Sequence, residues 1–588
     1  MMRSLLQFRL RNPLVWILAV AAGLRLAGLF WGLPASDGWD DDGFAPRNFL
    51  TALALTWKQG SYFTYPPLHA ILLMVPALPG IAIALLQAPS FHQADVIGEF
   101  TKPGFMTYFA VLARLASLAM SLGIVWTVGE MARLAAGGAL GGSRTAPIKN
   151  ATASESHSSK ARQAGLLAAG AAALNFGLTY YGQVSNLDVP YLFWGMLALL
   201  WGMRAVVEQQ VRRFWGAALF AAAGIATKDQ AYALFLLSLP LFLLLWFAAD
   251  RWPRRHASAI AGVLLPAMAL ALILLLLVDG AVTNPSGFAR RIAFLTGPAS
   301  SDYAAYPKNW DGVRGLLMDV AAWFGTGPAA LASLLALAGL FLHSLRTADR
   351  GVWVAGLLPA LAMLSFTLCF NFIALRSEAR FLLPQSVLAC VYIGIAAAWL
   401  MSAARRWVRL GARAGVALLA LAALHLDTAV SAAMLMDPRY DAEAWMRAHV
   451  QPGDGIEIFG QNAYLPRFPP AARVMRPGLR PVATRNPLPG VTEIRAPYDS
   501  PLPARFIVVS DWWLSQYSAP GGAWRGHRPR VQAALLADER ARRYFTALRD
   551  GRLGYRLAHR SGPAAAPWPQ VHIHESLNEA ILIFERAP

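Results

Sequence analysis

The stretch "PPLHAILLMVPALPGIAIALLQ" (66–87) decides how this chain is laid out. It is apolar and long enough to cross a bilayer core, which takes about 20 residues. It also carries Pro76 and Pro79 in its middle. Proline removes a helix hydrogen bond and crowds the carbonyl four residues back. The polar connectors elsewhere are basic at the amino terminus and over 133–162, 204–213, 250–256, 343–350 and 405–413. The positive-inside rule puts all of these in the cytoplasm only if 66–87 does not span. We therefore expect this stretch to lie in or dip into the outer leaflet, with about eleven spans elsewhere.

Composition points the same way. The 588 residues are 56% hydrophobic and only 14% charged, where a soluble chain carries nearer a quarter charged. The expected fold class is a polytopic α-helical membrane protein over 1–436, with a first external loop over 34–106. The first apolar run, 14–31, is longer than a signal-peptide core and holds Arg25, so it reads as an uncleaved anchor. A Lys–Asp–Gln break at 228–230 is expected to split 214–249 into two short spans. The Gly/Ser/Ala-rich segment 137–160 reads as a flexible cytoplasmic loop. Cys369 and Cys390 sit in apolar runs and read as small buried hydrophobes. A net charge of +19 raises nucleic-acid binding, but the arginines are scattered and no such motif is present.

From 437 to 588 the chain changes character and becomes rich in Arg and Pro. Short β-like runs appear, "GIEIFG" (455–460), "RFIVVSD" (505–511) and "ILIFER" (581–586), with a helix expected over 442–450. This predicts a small extracytoplasmic α/β domain. Arg467, Arg473, Arg476, Arg480 and Arg485 suggest a basic surface resting on anionic lipid. The loop 280–312, with Arg290 and Arg291, is expected to be a lid without regular structure.

The outward connectors collect the unusual polar residues. "WDDDGF" (39–44) supplies Asp40, Asp41 and Asp42, and "GSYFTYPPLH" (60–69) supplies Tyr65 and His69. Asp188 stands in "QVSNLDVPYLFW" (183–194), Lys228 in "ATKDQ" (226–230), and Arg376 and Arg380 in "RSEARFLLP" (376–384). Arg114 lies just inside the second span. Taken singly, the aspartates read as a solvated cap or a helix N-cap, and the cations as snorkelling side chains. Their joint placement on one side is what points to chemistry. A carboxylate can take a proton from a hydroxyl, and Arg and Lys can hold a phosphate. Membrane burial suits a phosphate carried on a lipid. A lipid-linked sugar transporter or flippase, or a non-catalytic polyprenyl-glycan binding protein, is the alternative. A flippase needs polar groups in the span centres, and these stay mostly at one end.

The order of these motifs resembles the GT-C fold glycosyltransferases, in the branch of the protein O-mannosyltransferases and the aminoarabinose lipid A transferases. The resemblance rests on the acidic run after the first span, "YPPL", Asp188 before the fourth span, and "RFLLP". "DPRYDAEAWMRAHVQPGD" (437–454) resembles the start of the external domain in bacterial members. It implies an inverting transferase of the bacterial inner membrane, using a polyprenyl-phosphate sugar donor and a protein, lipid or glycan acceptor. By position it implies Asp41, with Asp40 or Asp42, as the catalytic carboxylate. Asp188 is then an orienting carboxylate, and Arg114, Lys228, Arg376 and Arg380 bind the donor phosphate. Tyr65, where the family often has Lys or His, lines the substrate cavity with His69. The resemblance fixes no cofactor, and a divalent cation on the clustered carboxylates stays open, because relatives differ on this point.

Overall fold

A computed structural model describes residues 12–34, 38–40, 42–45, 48–139, 151–301, 304–478, 490–518, 538–562, 573–574 and 576–588. The chain is a polytopic helical membrane protein with a C-terminal α/β domain. Its main bundle helices are α1 (Pro13–Leu26), α2 (Leu68–Gln87), α3 (Pro103–Ala139), α4 (Ala151–Ala173), α5 (Asp188–Val207) and α6 (Arg213–Ile225). They continue with α7 (Ser238–Ala249), α8 (Ala257–Val278), α9 (Pro285–Thr296), α10 (Gly327–Arg346), α11 (Arg350–Phe366), α12 (Ala379–Met401) and α13 (Arg406–Leu435).

Among the described residues nine helical segments are long and apolar enough to cross a membrane. Eight of them fall on expected spans, and the ninth is α2. The other expected spans are α1, α4 and α6, which are shorter or more polar. Pro76 and Pro79 do not interrupt α2, contrary to expectation; the helix is continuous through both. Its first residue is tied to the end of α6, with Leu68 N–H donating to Ala226 O (3.0 Å). Farther along, Tyr108 near the start of α3 donates its hydroxyl to Pro76 O (2.7 Å). The split at 228–230 is present: α6 stops at Ile225, and Lys228 is extended (φ −153°).

Two helices, α5 and α12, form the centre, with 72% and 78% of their spans buried. Small residues bring the central helices together, as they do wherever apolar solvent gives no hydrophobic drive. A Cβ on Gly394 of α12 would lie 2.4 Å from Ala164 O of α4. At the periphery α8 leaves Leu265 65% exposed and Leu272 55% exposed, which is the surface a lipid-facing helix presents.

Two expectations about loops fail. From Ala151 onward the 137–160 segment is helical, as the start of α4, while 140–150 lie outside the described residues. The 280–312 segment is not an irregular lid, because α9 fills much of it. Asn284 caps that helix through Gly287 N–H (3.1 Å) and donates to Thr56 O (3.1 Å) and Ser61 O (2.6 Å). Arg291 pairs with Asp279 (2.7 Å). The sequence shows only Gly and Pro there, and both serve to start and end helices.

The C-terminal domain begins with α14 (Pro438–His449), capped by Asp437. Six strands follow: β1 (Gly455–Ile458), β2 (Arg473–Pro477), β3 (Val491–Ile494), β4 (Phe506–Ser510), β5 (Tyr555–Ser561) and β6 (Ile581–Arg586). They form one sheet of order β3-β2-β1-β4-β6-β5, parallel through β4 and antiparallel beyond it. Alternation along β4 covers both faces. Ile507 and Val509 pack with α15 (Glu539–Arg549), while Phe506 and Val508 pack with Ala442 and Met446 of α14. The expected basic surface is partly spent inside the fold. Arg467 pairs with Glu443 (2.6 Å) and donates to Leu33 O (2.7 Å). Arg476 is buried against Glu493 and Asn462, while Arg480 and Arg485 lie outside the described residues.

Candidate functional site

The site lies where the segment after α1 meets the starts of α5 and α12. Asp40 and residues 42–45 fold onto the turn before α5. Phe44 N–H donates to Ser185 O (2.9 Å), and Ser185 Oγ–H donates to Ala45 O (2.8 Å). This contact fixes Asp40, whose Oδ2 accepts from Ser185 N–H (2.8 Å) and Ser185 Oγ (3.2 Å). Gly43 permits the approach, since a Cβ there would meet Ser185 Oγ at 2.8 Å.

Asp42 faces the other way. Arg380, in the first turn of α12, donates Nη1 to Asp42 Oδ2. His574 Nε2 lies 3.5 Å from the same oxygen. Oδ1 makes no hydrogen bond among the described residues, and the side chain is 29% exposed. The two carboxyls are shifted in opposite directions. Burial pushes Asp40 up, with Arg114, His574 and the Ser185 N–H acting against it. Burial also pushes Asp42 up, but Arg380, His574 and Lys228 outweigh it and hold Asp42 well below the usual carboxylate range. Pairs pushed apart in this way divide acid and base roles. Asp41, the carboxylate expected first, lies outside the described residues.

A second pair stands beside the first. Lys228 Nζ donates to Asp188 Oδ1 (2.7 Å), and Gln230 Nε2 donates to the same atom (3.0 Å). Asp188 is fully buried, and its Oδ2 has no hydrogen-bond partner among the described residues. The break between α6 and α7 is what frees Lys228 from helical geometry to reach it. Tyr65 belongs to this neighbourhood. Burial, with Asp42 nearby, pushes its hydroxyl up to about 12, so it stays a neutral donor.

Other expected site residues stand elsewhere. Arg114 is buried at the end of the segment after α1, donating Nη1 to Leu29 O (2.8 Å) and Trp31 O (2.9 Å). It satisfies carbonyls at a helix end and offsets Asp40, and does not open onto Asp42. Arg376 is paired with Glu378 (3.0 Å) and lies over Phe381 (4.4 Å) at the rim. His69 is fully buried, edge-on to Phe44 (5.9 Å), with both ring nitrogens unpartnered among the described residues. No group of three or more His, Cys, Asp or Glu is set to hold a metal among the described residues; the fit of a cation to the acidic run turns on Asp41. A cavity of about 580 Å³ at the opposite helix ends, lined by Glu130, Arg133 and Arg162, holds none of the expected site residues.

Two residues here escape sequence reasoning. His574 arrives from the C-terminal domain, more than 500 positions from Asp42. Arg439 is fully buried between Trp31 (5.3 Å) and Trp39 (4.1 Å). It pairs with Asp437 through Nε (2.8 Å) and Nη2 (2.7 Å), and it donates to Ser576 O (2.6 Å) and Ala463 O. Nothing local marks His574, whose partner is distant in sequence; Arg439 stands beside its own partner Asp437, but the tryptophans that cover it lie about 400 positions earlier.

No family model and no curated protein matches the chain. Two solved structures are similar to it, both of ArnT from Cupriavidus metallidurans. The apo form shares 15% identity over 84% of this chain and 92% of that one, with a TM-score of 0.47. The form bound to undecaprenyl phosphate shares 14% identity over 97% of each chain, with a TM-score of 0.46.

Proposed function

We propose that this protein is an inverting glycosyltransferase that takes a sugar from a polyprenyl-phosphate donor at the outer face of the bacterial inner membrane. The observation that carries this reading is the pair of carboxylate–cation couples, Asp42–Arg380 and Asp188–Lys228, with Asp188 Oδ2 buried and without a hydrogen-bond partner among the described residues and Asp42 Oδ1 outside the Arg380 contact. In the proposed reaction the acceptor hydroxyl oxygen attacks the anomeric carbon, and its proton passes to Asp42 Oδ1. The bond from that carbon to the phosphate oxygen breaks, and its electron pair leaves with the lipid phosphate. Arg380 and Lys228 stabilise that charge. Both cations are neutralised by aspartates without donor. An arriving phosphate competes for them, and the withdrawal of Arg380 makes Asp42 more basic only when donor is present. Asp188 then orients the acceptor, and Tyr65 donates to it or to the phosphate.

The test is transfer of radiolabelled sugar from polyprenyl phosphate by the purified full-length protein, across a panel of sugars and acceptors. Asp42→Asn is the paired control. Transfer that survives Asp42→Asn and Asp41→Asn alike would refute a carboxylate base in this run.

A further inference from the structure

We infer that His574, carried by the C-terminal domain, is a positioning residue for Asp42, so that the site is shared between the two parts of the chain. This rests on the transferase reading above. Ser576 backbone N–H donates to His574 Nδ1 (3.2 Å), and Ser576 Oγ is also at that nitrogen (2.9 Å). A backbone N–H can only donate, so Nδ1 carries the lone pair and Nε2 carries the proton. That proton faces Asp42 Oδ2 at 3.5 Å, a length typical of sites that tighten when substrate binds.

The imidazole is held for this task. Its ring stacks on Tyr180 (6.1 Å between centroids, 16° between planes), and its side chain is only 12% exposed. Its turn is anchored one step away, where Arg439 donates to Ser576 O (2.6 Å). With Oδ2 bonded to Arg380 and approached by His574 Nε2 at 3.5 Å, the carboxylate is restrained, and Oδ1 is the oxygen presented to the acceptor. When Arg380 turns to the donor phosphate, His574 is the partner that remains. A neutral Nε2–H orients the base and does not take its proton, so the proton balance of the transfer is unchanged. The charged and titratable groups that meet this pair are Arg380, Lys228, Asp40, Tyr65, Tyr180 and Tyr181.

Two measurements on the full-length protein test this. In the first, histidine-labelled protein is titrated by NMR, with the His574 signal identified by its loss in His574→Gln. Pairing with Asp42 predicts a titration midpoint that falls in Asp42→Asn; equal midpoints overturn the pairing. In the second, kcat, KM and the pH profile of sugar transfer are compared for wild type, His574→Ala and His574→Gln, with undecaprenyl phosphate binding as the check on folding. His574→Ala should lower kcat about 10–100-fold, leave lipid-phosphate binding within about twofold, and move the acid limb of the profile to higher pH. His574→Gln, whose amide reaches the same place, should recover most of kcat and the limb. Wild-type kcat and profile in His574→Ala, or a Gln variant no better than Ala, overturns the inference while Asp42→Asn still reports on the transferase reading by itself.

Discussion

Two polar clusters sit a few residues apart at the same end of the bundle and differ in one respect. Around Arg439 the donors are engaged: the guanidinium meets Asp437 twice and two backbone carbonyls, and its faces are covered by Trp31 and Trp39. Trp31 Nε1–H completes Asp437 (3.0 Å). Around Asp42 and Asp188 the carboxylates are left half used, with one oxygen of each unpaired among the described residues. A buried charge without partners is expensive, so a saturated cluster is what a fold needs to join two parts. An unsaturated one persists where a ligand supplies the missing contacts. The first cluster has the make-up of a clasp, and the second is the proposed site.

The largest expected effect breaks the site and spares the clasp. Asp42→Asn should slow transfer by about a hundredfold to ten-thousandfold, the range for losing a positioned base. Thermal stability in detergent should change little. If Asp41→Asn is the inactive variant and Asp42→Asn is not, the base moves by one position.

The reverse change comes next. Arg439→Ala leaves Asp437 buried and uncompensated, which typically costs about 3–5 kcal/mol. It should lower the melting temperature and open the tail to protease. Adding Asp437→Ala should restore part of that loss, and a double variant as unstable as the single one would mean that packing on the tryptophans, not charge, sets the clasp.

A third prediction sharpens the contrast through binding. Arg380→Gln should weaken undecaprenyl phosphate at least about tenfold, because a buried hydrogen-bonded charge partner is lost. Asp42→Asn should bind it more tightly than wild type by a few-fold, because Arg380 is no longer held by a competing carboxylate. Binding that is unchanged in both variants would remove the proposed exchange of partners.

The smallest effect lies in the sheet. Burial pushes the Glu457 carboxyl up from its ordinary 4.5 to about 7, against the Leu502 N–H and the Tyr544 hydroxyl. A folded-state value above the unfolded one means stability that is complete below about 4.5 and lost as pH rises through about 7. Glu457→Gln should therefore raise the melting temperature at pH 8, by an amount worth roughly 1–3 kcal/mol, and do nothing at pH 4.5. A gain of equal size at both pH values would contradict the titration.

How much of this was readable beforehand follows from the range of each interaction. Spans are properties of a local window, and eight of them stand where hydropathy and charge put them. The strands "GIEI", "FIVVS" and "ILIFER" carry continuous apolar runs and were visible. β2 and β5, with "RVMRP" and "YRLAHRS", are broken by arginines and were not. Asp42, Asp188, Lys228 and Arg380 do assemble, since each stands at a helix boundary on one side of the bundle. The carbonyl partners of Arg114 are not legible in the sequence, because a cation at membrane depth looks the same whether it serves a ligand or the carbonyls of a neighbouring helix end. Pro76 and Pro79 do not end α2, because a helix tied at its start to Ala226 and in its middle to Tyr108 tolerates missing ladder bonds.

The spread of the site along the chain also has a consequence in time. Asp42 and His574 are 532 positions apart, which a ribosome covers in roughly half a minute to nearly two minutes at typical rates. Through that interval the acidic run already stands at the membrane surface while its last partner has not been made. A half-made chain therefore holds neither the histidine nor the clasp that steadies it. Under the proposed sharing of the site, the protein does not reach its full rate on lipid-linked sugar until His574 has been made and has folded onto Asp42.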